Sequence, residues 1–215
     1  MRKYLAEIIG TFALVFCGTG AIIINQVSGG AVTHVGVAIT FGLIVAAMIY
    51  TVGDISGAHL NPAVTIAFWI GKVFPSKEVV PYIVSQAIGA FTASMALKFL
   101  FPNNNLLGAT IPAGSPIQSF VLEIILTFIL MFVIIHVAKG SKEQGLFAGV
   151  VIGGVVLLEA MFAGPICGAS MNPIRSIAPA IVSGHLEHLW VYVTAPIIGA
   201  VLAIGSWVLL KQKEN

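Results

Sequence analysis

Six long apolar stretches dominate this amino-acid sequence. They cover roughly residues 4–24, 33–52, 79–101, 117–138, 145–163 and 189–210. A helix needs about 20 apolar residues to cross the hydrocarbon core of a bilayer, which is about 30 Å thick. Only 8% of the residues are charged, whereas about a quarter of a soluble domain is charged. The sequence therefore predicts an all-α membrane protein with six transmembrane helices.

Apart from Arg175 and from Lys98, which can snorkel to the interface from the outer end of the third span, the basic residues lie on one side of these predicted spans. They occur at the N-terminus, after the second span, after the fourth span and at the C-terminus, and are Arg2, Lys3, Lys72, Lys77, Lys139, Lys142, Lys211 and Lys213. Cytoplasmic loops carry an excess of Lys and Arg. Both termini are therefore expected in the cytoplasm, with the chain in a cell membrane (plasma or inner). The net charge of +2 is too small to favour nucleic acid as a partner.

An Asn-Pro pair occurs twice, at Asn61-Pro62 and at Asn172-Pro173, with similar residues before it. Asn is a good helix cap, and Pro fits the first helical position because no amide partner is needed there. The helices that follow are predicted over about 62–70 and about 173–182. At 1.5 Å per residue they are roughly 14 Å long, about half the thickness of the hydrocarbon core. They are too short to span the membrane and are expected to be re-entrant half-helices.

The two halves of the chain resemble each other. Glu7 is followed by Thr11-Phe12 in the first span, and Glu123 is followed by Thr127-Phe128 in the fourth. Each half has three spans, an odd number, so the halves cross the membrane in opposite directions. The sequence thus predicts one channel domain, 1–215, made of two inverted repeats at about 1–105 and about 116–215.

The inverted arrangement brings the two half-helices in from opposite sides, with their N-termini meeting at the midplane. Polar helix ends at that depth need a hydrophilic path between them. Just before each Asn-Pro pair, Gly57-Ala58 and Gly168-Ala169 are expected to form extended backbone whose carbonyls face such a path. The alternative is that these small residues serve close helix packing.

The chain resembles the aquaporin (major intrinsic protein) family along nearly its whole length. The resemblance rests on Asn61-Pro62-Ala63, on the variant Asn172-Pro173-Ile174, on Arg175 and on the repeated Glu-x-x-x-Thr-Phe. The segments around the Asn-Pro pairs are most similar to nodulin-type aquaporins, and a microbial member is expected. The resemblance implies a homotetramer with one pore per subunit, passing water and small neutral solutes such as glycerol or metalloid acids.

The two half-helix N-termini explain how such a pore can exclude ions. Each carries about half a positive charge, which repels cations and hydronium. Asn61 and Asn172 can donate amide hydrogens to one passing oxygen and so interrupt a proton-conducting chain of waters. Half-helix dipoles and an Arg have this role in aquaporin-type channels generally. The alternative is that both Asn residues are only helix caps.

Arg175 lies on the second half-helix, where an unpaired charge costs at least about 2.5–3.5 kcal/mol. It either pairs with Glu159 or lines the pore near the external mouth. The resemblance favours the second reading and adds Phe41, Ala160 and Ala169 to a selectivity filter. Strict water channels usually have His where Ala160 stands, so a wider opening is expected. Ile174 replaces the usual Ala and is expected to add bulk beside Asn172.

Four further residues have alternative roles. Glu7 and Glu123 are either coupling-ion sites of a transporter or, as their repetition favours, acceptors for backbone amides of the half-helix loops. Glu159 has no counterpart in the other repeat; it either faces a neighbouring helix or subunit or tunes the outer mouth. His59 either lines the inner vestibule, as the resemblance suggests, or is structural.

No cofactor, metal site or catalytic group is expected, because no residues show the spacing of metal ligands or of a nucleophile and its base. Three functions remain. The favoured one is a passive water channel that also passes small neutral solutes. The second is a facilitator whose main solute is glycerol or another small neutral molecule. The third is an ion-coupled carrier, which the inverted repeats and the acidic residues within the spans also suit.

Overall fold

A computed structural model describes residues 1–210, so Lys211 and Lys213 lie outside the described residues. This part of the chain is helical and has no strand. In chain order the helices are α1 (Arg2–Val27), α2 (Thr33–Ser56), α3 (Pro62–Ile70), α4 (Ser76–Leu100), α5 (Pro116–Ala138), α6 (Lys142–Leu146), α7 (Ala148–Cys167), α8 (Pro173–Ser183) and α9 (Leu189–Leu210). Six of them, α1, α2, α4, α5, α7 and α9, are long and apolar enough to cross a membrane. The six predicted spans are thus confirmed.

The boundaries of two spans differ from the prediction. α2 continues to Ser56 and α7 to Cys167, beyond the predicted ends at 52 and 163. α7 also begins at Ala148 and not at 145, because 142–146 form the separate short helix α6. Both α2 and α7 end at a glycine in the left-handed conformation, Gly57 and Gly168 respectively. This is a common way to end a helix.

The expectation of extended backbone before the Asn-Pro pairs was wrong. Gly57 and Ala58 have φ values of 85° and 46°, and Gly168 and Ala169 have φ values of 82° and 42°. These are left-handed conformations, which reverse the chain direction sharply at the end of α2 and of α7. The backbone is extended at the helix caps Asn61 and Asn172.

The long helices pack as two inverted repeats. α1 packs along α4, the equivalent α5 packs along α9, and α2 packs along α7 to join the halves. Gly89 on α4 lies against the carbonyl of Ile8, and Gly199 on α9 lies against the carbonyl of Ile124, so that a Cβ atom at either glycine would overlap backbone atoms. Glycine at these two points lets the helices approach closely. The division of the sequence at about 105 and 116 remains a prediction.

The two half-helices meet inside this bundle. α3 has 9 residues and α8 has 11, which gives roughly 14 and 16 Å at 1.5 Å per residue. They contact each other, and each begins at its capping Asn. We call the side on which α1 begins the N-terminal face and the other side the opposite face. α3 enters from the N-terminal face and α8 from the opposite face.

Candidate functional site

Asn61 has two separate hydrogen-bonding roles. Its Oδ1 atom accepts a hydrogen bond of 2.9 Å from the amide of Ala63, which caps α3. Its Nδ2 atom donates a hydrogen bond of 2.8 Å to the carbonyl of Met171, in the loop before α8. One side chain therefore caps its own half-helix and ties it to the loop of the other.

Asn172 repeats this arrangement from the other side. Its Oδ1 atom accepts a hydrogen bond of 3.1 Å from the amide of Ile174, and its Nδ2 atom donates one of 2.9 Å to the carbonyl of Leu60. A side-chain amide carries two hydrogens. Each Asn therefore caps a helix, bonds the opposite loop and keeps one amide hydrogen for another acceptor.

A cavity of about 450 Å³ passes these two side chains. It extends from Tyr50 and Asp54, near the N-terminal face, to Phe41 and Arg175 on the side of the opposite face. The other predicted site residues along it are His59, Asn61, Ala160, Ala169 and Asn172. The fold thus brings together, around one path, residues from both halves of the sequence.

The guanidinium of Arg175 is held at the outer part of this cavity. The side chain is 2% exposed, and its Nη1 atom donates a hydrogen bond of 2.8 Å to the carbonyl of Gly108. Its Cζ atom lies 4.9 Å from the centre of the Phe41 ring, a favourable cation–π distance. Arg175 makes no ion pair with Glu159 within residues 1–210, so the structure does not support the alternative that these two residues pair.

Gly108 and Gly18 support this arrangement, and the sequence did not single them out. Gly108, in the loop between α4 and α5, has a φ of 70° and presents its carbonyl to Arg175. Gly18 on α1 lies directly behind the Phe41 ring, where any Cβ atom would overlap the ring. Phe41 is therefore held between α1 and the guanidinium of Arg175. For Gly18 the only signal in the sequence was a glycine within a predicted span, and Gly108 gave none.

Ile174, whose bulk is expected beside Asn172, does not line the cavity. Its side chain is 4% exposed and belongs to the hydrophobic core, and it is absent from the lining of the cavity. The neighbouring motif residues Pro62, Ala63 and Pro173 are likewise buried and lie outside the lining. The added bulk at position 174 is therefore taken up by packing behind the path.

The carboxylate of Glu7 holds the loop that precedes α3. One oxygen accepts hydrogen bonds from the hydroxyl of Ser56 at 2.7 Å and the amide of His59 at 2.9 Å. The other accepts from the amide of Leu60 and the side chain of Gln86, both at 2.8 Å. All four donors belong to the protein, so the carboxylate is occupied by the loop and by α4.

The carboxylate of Glu123 holds the loop before α8 in the same way, but it accepts hydrogen bonds from fewer donors than Glu7 does. Its oxygens accept from the amide of Ser170 at 2.7 Å and the amide of Met171 at 2.8 Å. The thiol of Cys167, at the position that Ser56 holds in the first half, donates to the carbonyl of Ala163 at 3.6 Å. The repeated acids thus contact equivalent amides of the two half-helix loops.

His59 lies among aromatic rings beside the cavity. The centre of its ring is 4.9 Å from Phe68, 4.6 Å from Phe74 and 5.0 Å from Tyr82. Its Nδ1 atom is 3.1 Å from the hydroxyl of Thr65. The side chain is buried and also lines the cavity, so the structural and lining roles are combined.

Glu159 is buried without a partner. The side chain is 3% exposed, and neither carboxylate oxygen has a hydrogen-bond partner among residues 1–210. It lies outside the lining of the cavity, although the next residue, Ala160, lines it. Since the side chain faces the interior of a single chain, the structure gives no support to the expectations that it contacts another subunit or forms the outer mouth.

A chain of hydroxyl groups runs beside Asn172. The hydroxyl of Thr110 donates to that of Ser176 at 2.7 Å, and Ser176 and Ser170 are 2.5 Å apart. Ser170 in turn donates to the carbonyl of Asn172 at 2.9 Å. This chain joins the loop between α4 and α5 to the loop before α8. Sequence reasoning noted none of these contacts, because they join distant segments.

Comparisons with known proteins agree with this architecture. Residues 1–208 match the family model described as Major intrinsic protein. The chain belongs to this family. It is 48% identical over 208 residues to Aquaporin NIP1-1 of Zea mays, covering 96% of this chain and 73% of that protein. It is 44% identical over 209 residues to Nodulin-26 of Glycine max, covering 97% and 76%.

Among solved structures, the chain is similar to the aquaglyceroporin from Plasmodium falciparum. The TM-score is 0.88 at 27% identity, and the match covers 97% of this chain and 96% of that chain. This match and the family model confirm the aquaporin-like fold. The relatives Aquaporin NIP1-1 and Nodulin-26 confirm the resemblance to nodulin-type members. The expectation of a microbial source has no support in these comparisons. Membership makes this protein a multi-pass membrane protein and a passive channel of a non-enzymatic family.

Proposed function

We propose that this aquaporin-family channel passes water and small neutral solutes while excluding ions and protons. The proposal rests on the placement of Asn61 and Asn172 along one cavity, each with one amide hydrogen free of protein partners. A passing oxygen atom can accept from both. A molecule held in this way has its own hydrogens directed along the path, away from the donors, which interrupts proton transfer.

The charges along the cavity favour neutral solutes. The N-termini of α3 and α8 each contribute about half a positive charge, and Arg175 adds a full charge farther out. Asp54, at the N-terminal-face end, is the only acidic residue of the described chain in the lining. A cation entering the middle therefore meets positive charge without a compensating carboxylate.

The acidic residues do not favour an ion-coupled carrier. Glu7 and Glu123 accept hydrogen bonds from the half-helix loops and are occupied by them. Neither carboxylate lines the cavity. A coupling ion would have to displace these amides and release the loops.

We assign the selectivity filter to Phe41, Ala160, Ala169 and Arg175. The two alanines offer only methyl groups, so the opening beside the Arg175 guanidinium has room for a solute larger than water. This favours a second candidate, in which glycerol or another small neutral solute is the main permeant. The name of the structurally similar Plasmodium falciparum protein, an aquaglyceroporin, agrees with it.

Proteoliposomes separate these possibilities. In a hypertonic step with an impermeant solute, vesicles with the protein should shrink faster than empty ones. In a hypertonic step with glycerol, re-swelling after shrinkage reports glycerol entry. Equal shrinkage rates with and without protein would rule out the water channel, and absent re-swelling would rule out glycerol as the main solute.

The variant Ala160→His tests the assigned filter. It should reduce glycerol entry more than water flux, because the imidazole fills space that the larger solute needs. Ala160→Ser adds only one oxygen atom and stays close to the wild-type side chain in size. It is the control and should retain most glycerol entry. Equal losses of water and glycerol in Ala160→His would contradict the assignment of Ala160 to the filter.

We further infer a homotetramer with one pore in each subunit, in the plasma or inner membrane, with both termini in the cytoplasm. Family membership supports the tetramer, and the placement of Lys and Arg supports the orientation. Native mass spectrometry of the detergent-solubilised protein measures the subunit number. Protease access to an N-terminal tag in sealed cells tests the orientation.

A further inference from the structure

The helix α7 contains a proline shortly before its end, at Pro165. Proline has no amide hydrogen, so the carbonyl of Met161, four residues earlier, lacks its normal helical donor. The Nε2 atom of His34, on α2, lies 2.6 Å from the Met161 oxygen. Since a carbonyl only accepts, Nε2 carries the hydrogen.

Gly164 on α7 provides the space that the His34 ring occupies. A Cβ atom at Gly164 would overlap the His34 ring, so the ring lies directly on the backbone of α7. Pro165 thus leaves a carbonyl of α7 without its helical donor, and Gly164 leaves space for a ring on the same helix. Together they allow the imidazole of His34 to bind there. The repeat-related position to Pro165 is Asp54 in α2, which has an amide hydrogen, so the first half does not need this contact.

The contact lies next to the proposed filter. Met161 directly follows Ala160 on α7, and His34 stands two helical turns before Phe41 on α2. Phe41 and Ala160 both line the cavity beside Arg175. The separation of α2 and α7 at this level therefore sets the distance between two sides of the filter.

The same pair of helices is held differently at the other levels. Near the N-terminal face the ring of Tyr50 packs on Gly149 of α7, and its hydroxyl donates at 3.1 Å to the carbonyl of Leu146, the last residue of α6. At the middle, Gly42 and Gly153 lie against each other's backbone. Within residues 1–210, His34 makes the side-chain hydrogen bond between α2 and α7 at the outer level.

We propose that His34 is a positioning residue that sets the width of the filter between Phe41 and Ala160. This inference rests on the proposed function, because it assigns a role in choosing the solute. Without the bond, the outer part of α7 moves away from α2 and the filter opens. A solute larger than water gains more from that opening than water does.

The measurement is the ratio of glycerol to water permeability in proteoliposomes. His34→Ala should raise this ratio about two- to tenfold, the range that corresponds to the net contribution of one hydrogen bond. His34→Gln should restore the wild-type ratio, because its amide nitrogen reaches the position of Nε2. His34→Asn should resemble His34→Ala, because its amide nitrogen reaches only the position of Nδ1.

His185→Ala is the matched control, since His185 is another histidine near the opposite face and its ring lies 3.3 Å from the hydroxyl of the nearby Ser183. The ratio of glycerol to water permeability of this variant should stay at the wild-type value. An unchanged ratio in His34→Ala, or equal ratios in His34→Gln and His34→Asn, would overturn the proposal. If His34→Ala fails to fold, Gly164→Ala dislodges the ring with His34 intact and should raise the ratio in the same way.

Solid-state NMR on the wild-type protein tests the bond without any flux. A transfer from the His34 Nε2 proton to the Met161 carbonyl carbon is expected, and an unprotonated Nε2 would overturn the inference. If wild-type vesicles pass neither water nor glycerol, the proposed function fails and the role of His34 in selection fails with it. A different combination would refute the role of His34 in selection and leave the proposed function intact. In that combination the wild-type protein shows the bond and passes water or glycerol, but His34→Ala has the wild-type ratio of glycerol to water permeability.

Discussion

The side-chain amide of Asn61 donates a hydrogen bond of 2.8 Å to the backbone carbonyl of Met171, in the loop of the opposite half-helix. The side-chain amide of Asn172 donates the equivalent hydrogen bond, of 2.9 Å, to the backbone carbonyl of Leu60. The two loops, 110 and 112 residues apart in these pairs, therefore hold each other. Stability and solute binding at the middle of the cavity depend on the same two amides.

Replacing Asn61 should separate these contributions. Asn61→Ala removes a helix cap and the bond to Met171, and should lower the free energy of unfolding by about 2 kcal/mol. Asn61→Ser keeps a capping oxygen and should lower it by only about 1 kcal/mol. Thermal unfolding in detergent measures both. A Ser variant as stable as wild type would show that the bond between the loops contributes nothing.

Gly18→Ala should disturb the filter from behind. The new methyl group overlaps the Phe41 ring, so stability should fall by about 1–3 kcal/mol and water flux should fall as the ring moves toward Arg175. Adding Phe41→Leu should recover stability, because the smaller side chain leaves room for the methyl group. Gly154→Ala is the control, since nothing lies within 4 Å of a Cβ atom there. Equal behaviour of the two Ala variants would contradict this account.

The two loop-supporting acids should differ in their contribution to stability. Glu7→Gln places an amide NH₂ among four donors, and Glu123→Gln places one among two backbone amides. Hydrogen bonds to charged groups contribute about 1.5–3 kcal/mol each. Unfolding in detergent should therefore show a larger loss for Glu7→Gln, and a larger loss for Glu123→Gln would be evidence against the donor count as the cause.

Ile174→Ala should affect stability without affecting selection. Removing a buried Ile side chain leaves a cavity and costs about 2–5 kcal/mol. The ratio of glycerol to water permeability should stay at the wild-type value, because Ile174 packs in the core and lies outside the lining. A changed ratio would mean that the side chain does narrow the path.

Glu159→Leu should stabilise the protein. The carboxylate has no hydrogen-bond partner in residues 1–210 and is 3% exposed. A buried polar group without a partner costs about 1–3 kcal/mol on the scale of protein mutational data, and Leu has a similar volume. The midpoint of thermal unfolding should rise. A lower midpoint would indicate that Glu159 has a partner, such as an internal water.

The sequence predicted the architecture well because its signals are local. Apolar length defines the six spans, and Asn followed by Pro defines the starts of α3 and α8. The repeated Glu7 and Glu123 indicated the inverted halves, since their equivalence follows from the chain alone. Residues that line the cavity came from motif spacing, which the resemblance to the aquaporin family supplied.

What the sequence could not predict depends on contacts between distant segments. The carbonyl that holds Arg175 belongs to Gly108, 67 residues away, and His34 bonds Met161 across 127 residues. The orientation of Ile174 could not be predicted either, because a motif position does not tell which side of a short helix faces the path. Such features follow from tertiary packing.

The ring of Phe41 lies between Gly18 on one side and the guanidinium of Arg175 on the other. Gly18 itself is not part of the cavity wall. Two channels can therefore share every wall residue and still differ in what they admit, if a bulkier side chain stands at this one place behind the wall. Comparing or redesigning such channels requires reading the residues behind the path along with those that solutes touch.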